Sequence, residues 1–244
     1  MKRSLQIQIL IMATTIASST AYLAGGIIEI NGNAEESFLL YSQPLGNIFG
    51  SDEAPEFSTD RLALVHEKLM SFGIDTDGKI TVIPVDTGYG LSLLTLVDSE
   101  YGTGDNGGSS SLGLTSTASN SLGFFINDME QDDWQLISSP WLPSQTLGAT
   151  FVWEGLTSGD GFAWTELAMG DAISYSFLEM FDDNAIDDEA FQFVGASNGG
   201  LDVIYSEGFN SDGSNVFTAT VVPAPPAGLL ISGLLLGYRR RRTE

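Results

Sequence analysis

Residues 79–97 read KITVIPVDTGYGLSLLTLV, and they show most clearly a pattern that the rest of the chain repeats. It holds two short runs rich in β-branched and apolar residues, KITVIPV (79–85) and LSLLTLV (91–97), with DTGYG between them. Runs of this length and composition, separated by Gly and Asp, are typical of β-strands joined by turns. The stretch therefore predicts two strands with a turn between them.

The same pattern recurs along the chain and predicts an all-β fold. Ten further runs have it: GIIEIN (26–31), ESFLLYS (36–42), SLGFFI (121–126), DWQLIS (133–138), GATFVWE (148–154), FAWTEL (162–167), AISYSFLEM (172–180), AFQFVG (190–195), LDVIYS (201–206) and NVFTATVV (215–222). A dozen strands indicate a β-sandwich of two packed sheets with jelly-roll-like connections. The Gly- and Ser-rich stretch 102–121 could form a flexible loop or weak edge strands, and of the two we predict a long loop that ends in a strand.

One segment departs from the strand pattern. In STDRLALVHEKLMSFG (58–73), apolar residues recur at helical spacing, which predicts a single short helix near 60–72. Thr59 or Asp60 can cap its start, and Gly73 can end it. His66 lies on this helix beside a glutamate, and we interpret it as a surface histidine and not as a base or a metal ligand.

The N-terminus has the features of a signal peptide. Lys2 and Arg3 precede an apolar stretch, which is followed by Ser19 and Ala21 at the −3 and −1 positions of a cleavage site. We therefore predict a signal peptide over 1–21 and a single domain over 22–220.

The C-terminal segment 221–244 has three parts that address a protein to a membrane. A proline step is followed by an apolar run of 12 residues, Ala227–Tyr238, and then by four arginines. As a helix the run is about 18 Å long, against the ~30 Å of a bilayer core, so it is a short transmembrane segment. The positive-inside rule places the arginines in the cytoplasm and the body outside.

This tail resembles the PEP-CTERM sorting signal of exosortase substrates in Gram-negative bacteria. The residues that carry the resemblance are Val222, Pro223, Ala224, Pro225, Arg239, Arg240, Arg241 and Arg242, with Ala224 where the family usually has Glu. The resemblance implies that an exosortase-type enzyme and the export machinery recognise the tail, cut it near the prolines and pass the body to the surface or matrix. Contact with the membrane is then through the tail alone, before processing. The alternative is an ordinary C-terminal anchor without processing.

The charge of the body excludes some partners. Residues 22–222 hold three basic residues against 31 acidic ones, all of the 32 but Glu244, which gives a net charge of −28. Such a field repels nucleic acid and anionic lipid. The chain has no cysteine, so packing and, as one option, bound metal must stabilise the body.

Two acidic stretches are candidate Ca²⁺ sites. The sequence DTDGK (75–79) fits an EF-hand loop poorly and is interpreted as a turn before a strand. In DDNAIDDE (182–189), Asp183, Asp187 and Asp188 could bind Ca²⁺, although a solvated acidic loop explains the same charges.

Signs of catalysis are few in this sequence. There is no Cys and one His, and Gly-x-Ser-x-Gly is absent, which disfavours a serine or cysteine hydrolase. A glycosidase needs two converging carboxylates. Glu154 and Glu166 are candidates on successive strands, but parity places Glu166 on the face of Phe162 and Trp164 and Glu154 opposite Phe151. We therefore expect no enzyme.

Tryptophans are the remaining route to a ligand. Trp153 and Trp164 lie on two strands that could pair, and we expect core packing for both. Trp141 lies between Pro140 and Pro143, where its ring can stack on a sugar or close one end of the sandwich.

The sequence thus indicates an exported structural or adhesive β-sandwich protein of the cell surface or extracellular matrix. The alternative is a carbohydrate-binding module that binds extracellular polysaccharide and is stabilised by Ca²⁺. An exported hydrolase is the third possibility.

Overall fold

The computed structural model describes the strands, the helix and most of the short turns of the body. The residues described are 26–32, 37–44, 59–76, 78–97, 109–120, 122–127, 133–138, 141, 143–154, 160–181, 191–197, 200–208 and 216–223. The predicted signal peptide, most of the predicted tail and the acidic loop 182–189 lie outside these residues. Predictions about those segments stay predictions.

The described part consists of fourteen strands and one helix. The strands are β1 (Ile27–Asn31), β2 (Phe38–Tyr41), β3 (Gln43–Pro44), β4 (Ile80–Thr87), β5 (Gly90–Val97), β6 (Ser109–Ala118), β7 (Gly123–Asn127), β8 (Asp133–Ser138), β9 (Gln145–Glu154), β10 (Asp160–Leu167), β11 (Ala172–Phe181), β12 (Phe191–Ser197), β13 (Gly200–Glu207) and β14 (Val216–Val222). The helix, α1, is Thr59–Ser71 and lies between β3 and β4. All twelve predicted strands and the predicted helix are confirmed in the described residues.

The strands form two seven-stranded sheets, which confirms the predicted all-β sandwich. Sheet A has the order β2-β1-β14-β11-β6-β9-β8. Sheet B has the order β13-β12-β4-β5-β10-β7, with the short β3 beside β4. Pairing is antiparallel except that β4 runs parallel to both β3 and β12. In sheet A, Ile27 at the start of β1 lies opposite Val222 at the end of β14, so the two ends of the body are paired.

The central strands of sheet B, β4 and β5, are buried on both of their faces. One face packs on sheet A through a core that includes Phe151, Phe162 and Trp164. The opposite face packs against Val65 and Leu69 of α1. Every residue of Ile80–Val85 and Ser92–Val97 is therefore buried, as expected for strands covered on both sides. Gly73, with φ of 80°, ends the helix, and the Ile74 N–H then donates to the Leu69 carbonyl at 3.0 Å.

The stretch predicted to be a loop contains a central strand. Sheet A has β6 between β11 and β9, paired in register along its whole length with β9. Its residues alternate: Leu114, Ser116 and Ala118 are buried, whereas Thr115 and Thr117 are partly exposed. Small inward residues suffice because large rings of sheet B face them. The loop prediction was therefore wrong over residues 109–118.

Side-chain hydrogen bonds between described residues join the sheets across the core. Trp164 of β10 donates its indole N–H to the Ser116 hydroxyl of β6 at 2.9 Å. Thr95 of β5 and Tyr175 of β11 bond through their hydroxyls at 3.1 Å. Burial raises the pKa of Tyr175, and its hydrogen bond to Thr95 only partly offsets this, so the phenol stays neutral. These bonds satisfy polar groups that would otherwise be costly to bury.

His66 is not a surface residue as the sequence suggested. It is 1% exposed, between α1 and the α1–β4 connection, and its Nδ1 lies 3.1 Å from the Thr76 hydroxyl. Its Nε2 is buried and has no hydrogen-bond partner among the described residues. Desolvation lowers the pKa of His66 to about 4, because burial removes the hydration of the charged ring.

This burial predicts a loss of stability in mild acid. The unfolded chain takes up a proton near pH 6.5 and the folded chain near 4, so the free energy of unfolding falls as the pH drops through this window. Between pH 7 and pH 5 the contribution of His66 amounts to about 2 kcal/mol. We expect this change in the free energy of unfolding to be smaller by that amount in His66→Gln. Urea unfolding of both proteins at pH 7 and pH 5 measures it.

Glu67→Gln is the matched control, because Glu67 is the exposed neighbour on the same helix. This control should keep the pH dependence of the wild type. Parallel stability profiles for wild type and His66→Gln would contradict the prediction.

Candidate functional site

A cleft of about 250 Å³ opens beside β7, the edge strand of sheet B. Six described residues line it: Tyr89, Gly123, Phe124, Phe125, Thr165 and Glu166. They come from the β4–β5 turn, from β7 and from the end of β10. The cleft is thus formed where three segments distant in sequence meet.

The cleft lies on the helix side of sheet B. Ala163, which packs in the cluster under α1, is paired with Phe125, and Thr165 is paired with Gly123. Because side chains alternate along a strand, Gly123, Phe125 and Thr165 share the face of Ala163. Phe124 points the other way and packs on Trp164, with ring centroids 5.0 Å apart.

The β4–β5 turn presents Tyr89 to solvent. Thr87 fixes the turn with its hydroxyl, which accepts from the Tyr89 N–H and donates to the Gly90 carbonyl, both at 3.1 Å. Gly90 has φ of 89°, a conformation that glycine adopts without strain. The Tyr89 side chain is 45% exposed at the mouth of the cleft.

A bulge in β10 turns Glu166 outward. The pairing with β5 runs in register to Trp164 opposite Leu93, and the next pair is Leu167 opposite Leu91, so β10 has one extra residue. Glu166 takes this irregularity with φ of 63° and is exposed. For a residue with a Cβ this left-handed conformation costs roughly 1–2 kcal/mol. The parity argument that placed Glu166 on the face of Phe162 and Trp164 was therefore wrong.

Gly123 makes room for the acidic side of the cleft. A Cβ on Gly123 would lie 2.1 Å from the Thr165 hydroxyl oxygen and 3.5 Å from the Glu166 carboxyl carbon. The two side chains thus occupy the space above a bare backbone. A glycine inside a strand pattern indicates such a close approach, so SLGFFI carried a signal for this position. No comparable signal marks the bulge at Glu166.

The two glutamates considered for a glycosidase belong to different sheets. Glu154 ends β9 in sheet A, whereas Glu166 is in β10 of sheet B. For the same reason the strands of Trp153 and Trp164 do not pair, contrary to the expectation. Trp164 is buried in the core as predicted, and the side chain of Trp153 is outside the described part.

The remaining predicted site residues are placed only in part. Trp141 is 90% exposed, so it does not close an end of the sandwich, and its role in stacking stays a prediction. Val222 is the last residue of β14 and Pro223 is exposed. The others lie outside the described residues: Ser19, Ala21, Asp183, Asp187, Asp188, Ala224, Pro225 and Arg239 to Arg242.

The outer face of sheet A is covered with hydroxyls. Register and alternation place these side chains on it: Thr115, Thr117, Thr146, Thr150, Ser174, Thr218 and Thr220. Neighbours bond across strands, Thr117 to Thr146 at 3.1 Å and Ser174 to Thr218 at 3.3 Å. Threonine favours solvated strand faces, so hydration explains this surface without a ligand.

The space above Gly123 leads to a test of the cleft geometry. Gly123→Ala forces Thr165 or the β7 backbone to move, and overpacking of this kind costs roughly 1–3 kcal/mol. We expect a lower melting temperature for this variant. Gly148→Ala is the control, because a Cβ there meets nothing within 4 Å in another strand interior. Equal melting temperatures for the two variants would show that Gly123 is not under steric constraint.

Among the described residues, no group of three or more His, Cys, Asp or Glu side chains could hold a metal ion. Within those same residues no helix has the length and apolar character to cross a membrane. Comparison with family models, with curated proteins and with solved structures gives no match to the chain.

Proposed function

We propose that the chain is an exported β-sandwich protein of the cell surface or extracellular matrix, with a structural or adhesive role. In this proposal a C-terminal exosortase-type signal sorts the body, which is jelly-roll-like in its connections. The order of features at both termini supports export, and the net charge of −28 over residues 22–222 suits an exposed and soluble surface.

The open cleft beside β7 is the observation that carries the adhesive role. Its described lining combines aromatic rings with one carboxylate, that of Glu166. A glycosidase of the usual kind needs a pair of carboxyl groups on the scissile bond, whereas rings and a single acid are sufficient to bind. The arrangement therefore favours holding a ligand over transforming one.

Processing at both ends tests the proposed export and sorting. Mass spectrometry of the protein recovered from cells should find neither residues 1–21 nor Arg239 to Arg242. Deleting the four arginines should block removal of the tail, because their charge holds it in orientation. Recovery of an intact arginine run on the surface protein would leave a plain membrane anchor in place of a sorting signal.

A carbohydrate-binding module is the second candidate, and the exposure of Trp141 favours it. A tryptophan ring that is 90% exposed beside Pro143 can stack on the apolar face of a sugar. In this version Ca²⁺ bound by Asp183, Asp187 and Asp188 would stabilise the protein.

A polysaccharide pull-down distinguishes the two candidates. If the module is correct, Trp141→Ala should abolish most of the binding and a chelator should weaken it. Met169→Ala is the control, since Met169 is a 72% exposed apolar residue in the β10–β11 turn. Binding that survives both Trp141→Ala and chelation would exclude a module that depends on Trp141 and Ca²⁺.

A further inference from the structure

Glu166 holds its carboxylate in a conformation that a glycine would adopt with less strain. Its φ of 63° is the one left-handed backbone angle at a non-glycine among the described residues. Its side chain is exposed and lies over Gly123, so core packing does not require a glutamate at this position. Strain kept at an exposed residue points to a role for its side chain.

The surroundings of this carboxylate suit a cation. The rings of Tyr89 and Phe125 line the same cleft, and no basic side chain does so among the described residues. Aromatic faces attract ammonium groups through their quadrupole, and a carboxylate bonds them directly. Lys68 is one of the three basic residues of the body, and its Nζ lies 5.5 Å from the centroid of the Phe72 ring and does not line the cleft.

The charge of the whole body acts in the same direction. With a net charge of −28 over residues 22–222, the long-range field draws cations towards the surface and repels anions. An acidic saccharide is therefore a poor ligand for this cleft. A neutral saccharide can stack on the ring but leaves the carboxylate without an ionic partner.

The size of the cleft limits what can enter. About 250 Å³ is below the ~300–1,000 Å³ of pockets for drug-sized molecules, so a single ring or a short group fits. Tyr89, which is 45% exposed, contributes an aromatic ring to the lining. A sugar ring that carries an ammonium group matches both the aromatic surface and the carboxylate.

We propose that the cleft of Tyr89, Gly123, Phe125 and Glu166 binds an amino sugar unit of a cationic polysaccharide. The sugar ring stacks on Tyr89 and its ammonium group pairs with Glu166. This assignment rests on the proposed adhesive role and names the chemistry of its ligand. It makes the bulge in β10 a binding device, because the extra residue delivers the carboxylate to the cleft.

Binding of defined oligosaccharides to the full chain, purified in mild detergent, tests the assignment. The probes are a hexamer of glucosamine, the fully N-acetylated hexamer and a neutral glucose hexamer, with hexalysine as a peptide probe. Calorimetry should show tighter binding of the glucosamine hexamer than of hexalysine, which the negative charge attracts but which has no ring to stack, and little binding of the two uncharged hexamers; added salt should weaken the binding of both cations. Equal binding of the acetylated hexamer would overturn the ammonium requirement, and equal binding of hexalysine would overturn the saccharide.

Matched variants locate the binding in the cleft. Glu166→Gln and Tyr89→Ala should each lower the affinity for the glucosamine hexamer roughly fivefold or more. Glu67→Gln removes the same charge from α1 and should leave this affinity unchanged. Glu166→Gly should bind the glucosamine hexamer as poorly as Glu166→Gln does. Its melting temperature should be higher than that of Glu166→Gln, because glycine relieves the backbone strain. Wild-type affinity in Glu166→Gln would overturn the proposal.

Failure of this assignment and failure of the proposed function give different results. If the protein reaches the surface in processed form but does not distinguish the hexamers, the structural role stands and the amino sugar ligand is wrong. If the protein binds the glucosamine hexamer but is never exported, the binding site stands and the surface role is wrong.

Discussion

The central strands of sheet B are buried on both faces, and this double burial governs how the layers around them pack. Sheet A covers one face and α1 covers part of the other, so the central strands β4 and β5 must be apolar on both sides. Polar groups buried in this layer therefore need hydrogen-bond partners within the protein. Gln192 is an example, because its amide donates to the Asp75 carbonyl and to the Thr81 hydroxyl, both at 2.7 Å. The ring Nε2 of His66 is the described exception.

The cleft lies at the β7 edge of the layer that α1 covers. Sheet B ends at β7, and on the helix side of this edge the side chains are those of Gly123, Phe125 and Thr165. A regular β10 would have directed Glu166 towards sheet A, where an unpaired carboxylate could not be buried. One extra residue in the strand avoids that burial and exposes the acid beside the rings instead. The same local irregularity thus protects the core and forms the site.

The sequence predicted elements whose signal is local and missed features that arise only when segments meet. Runs of β-branched and aromatic residues located twelve strands, because each run carries its own period. Strand β6 was missed because its inward Ser116 and Ala118 are small, and their partner Trp164 is far away in sequence. The bulge at Glu166 breaks the period of two on which parity depends. For His66 a signal existed in the sequence, since it follows Leu62 by four positions and precedes Leu69 by three, which is the spacing of residues on one face of a helix.

The pairing of Ile27 with Val222 has a mechanical consequence. A force applied between these two neighbouring ends would peel β1 away from β14, and the hydrogen bonds between the two strands would break one after another. A force between Val222 and a distant point would instead draw β14 along its axis against both β1 and β11, so that many bonds must break together. A body held by its C-terminal strand alone therefore resists pulling better than one held by both ends.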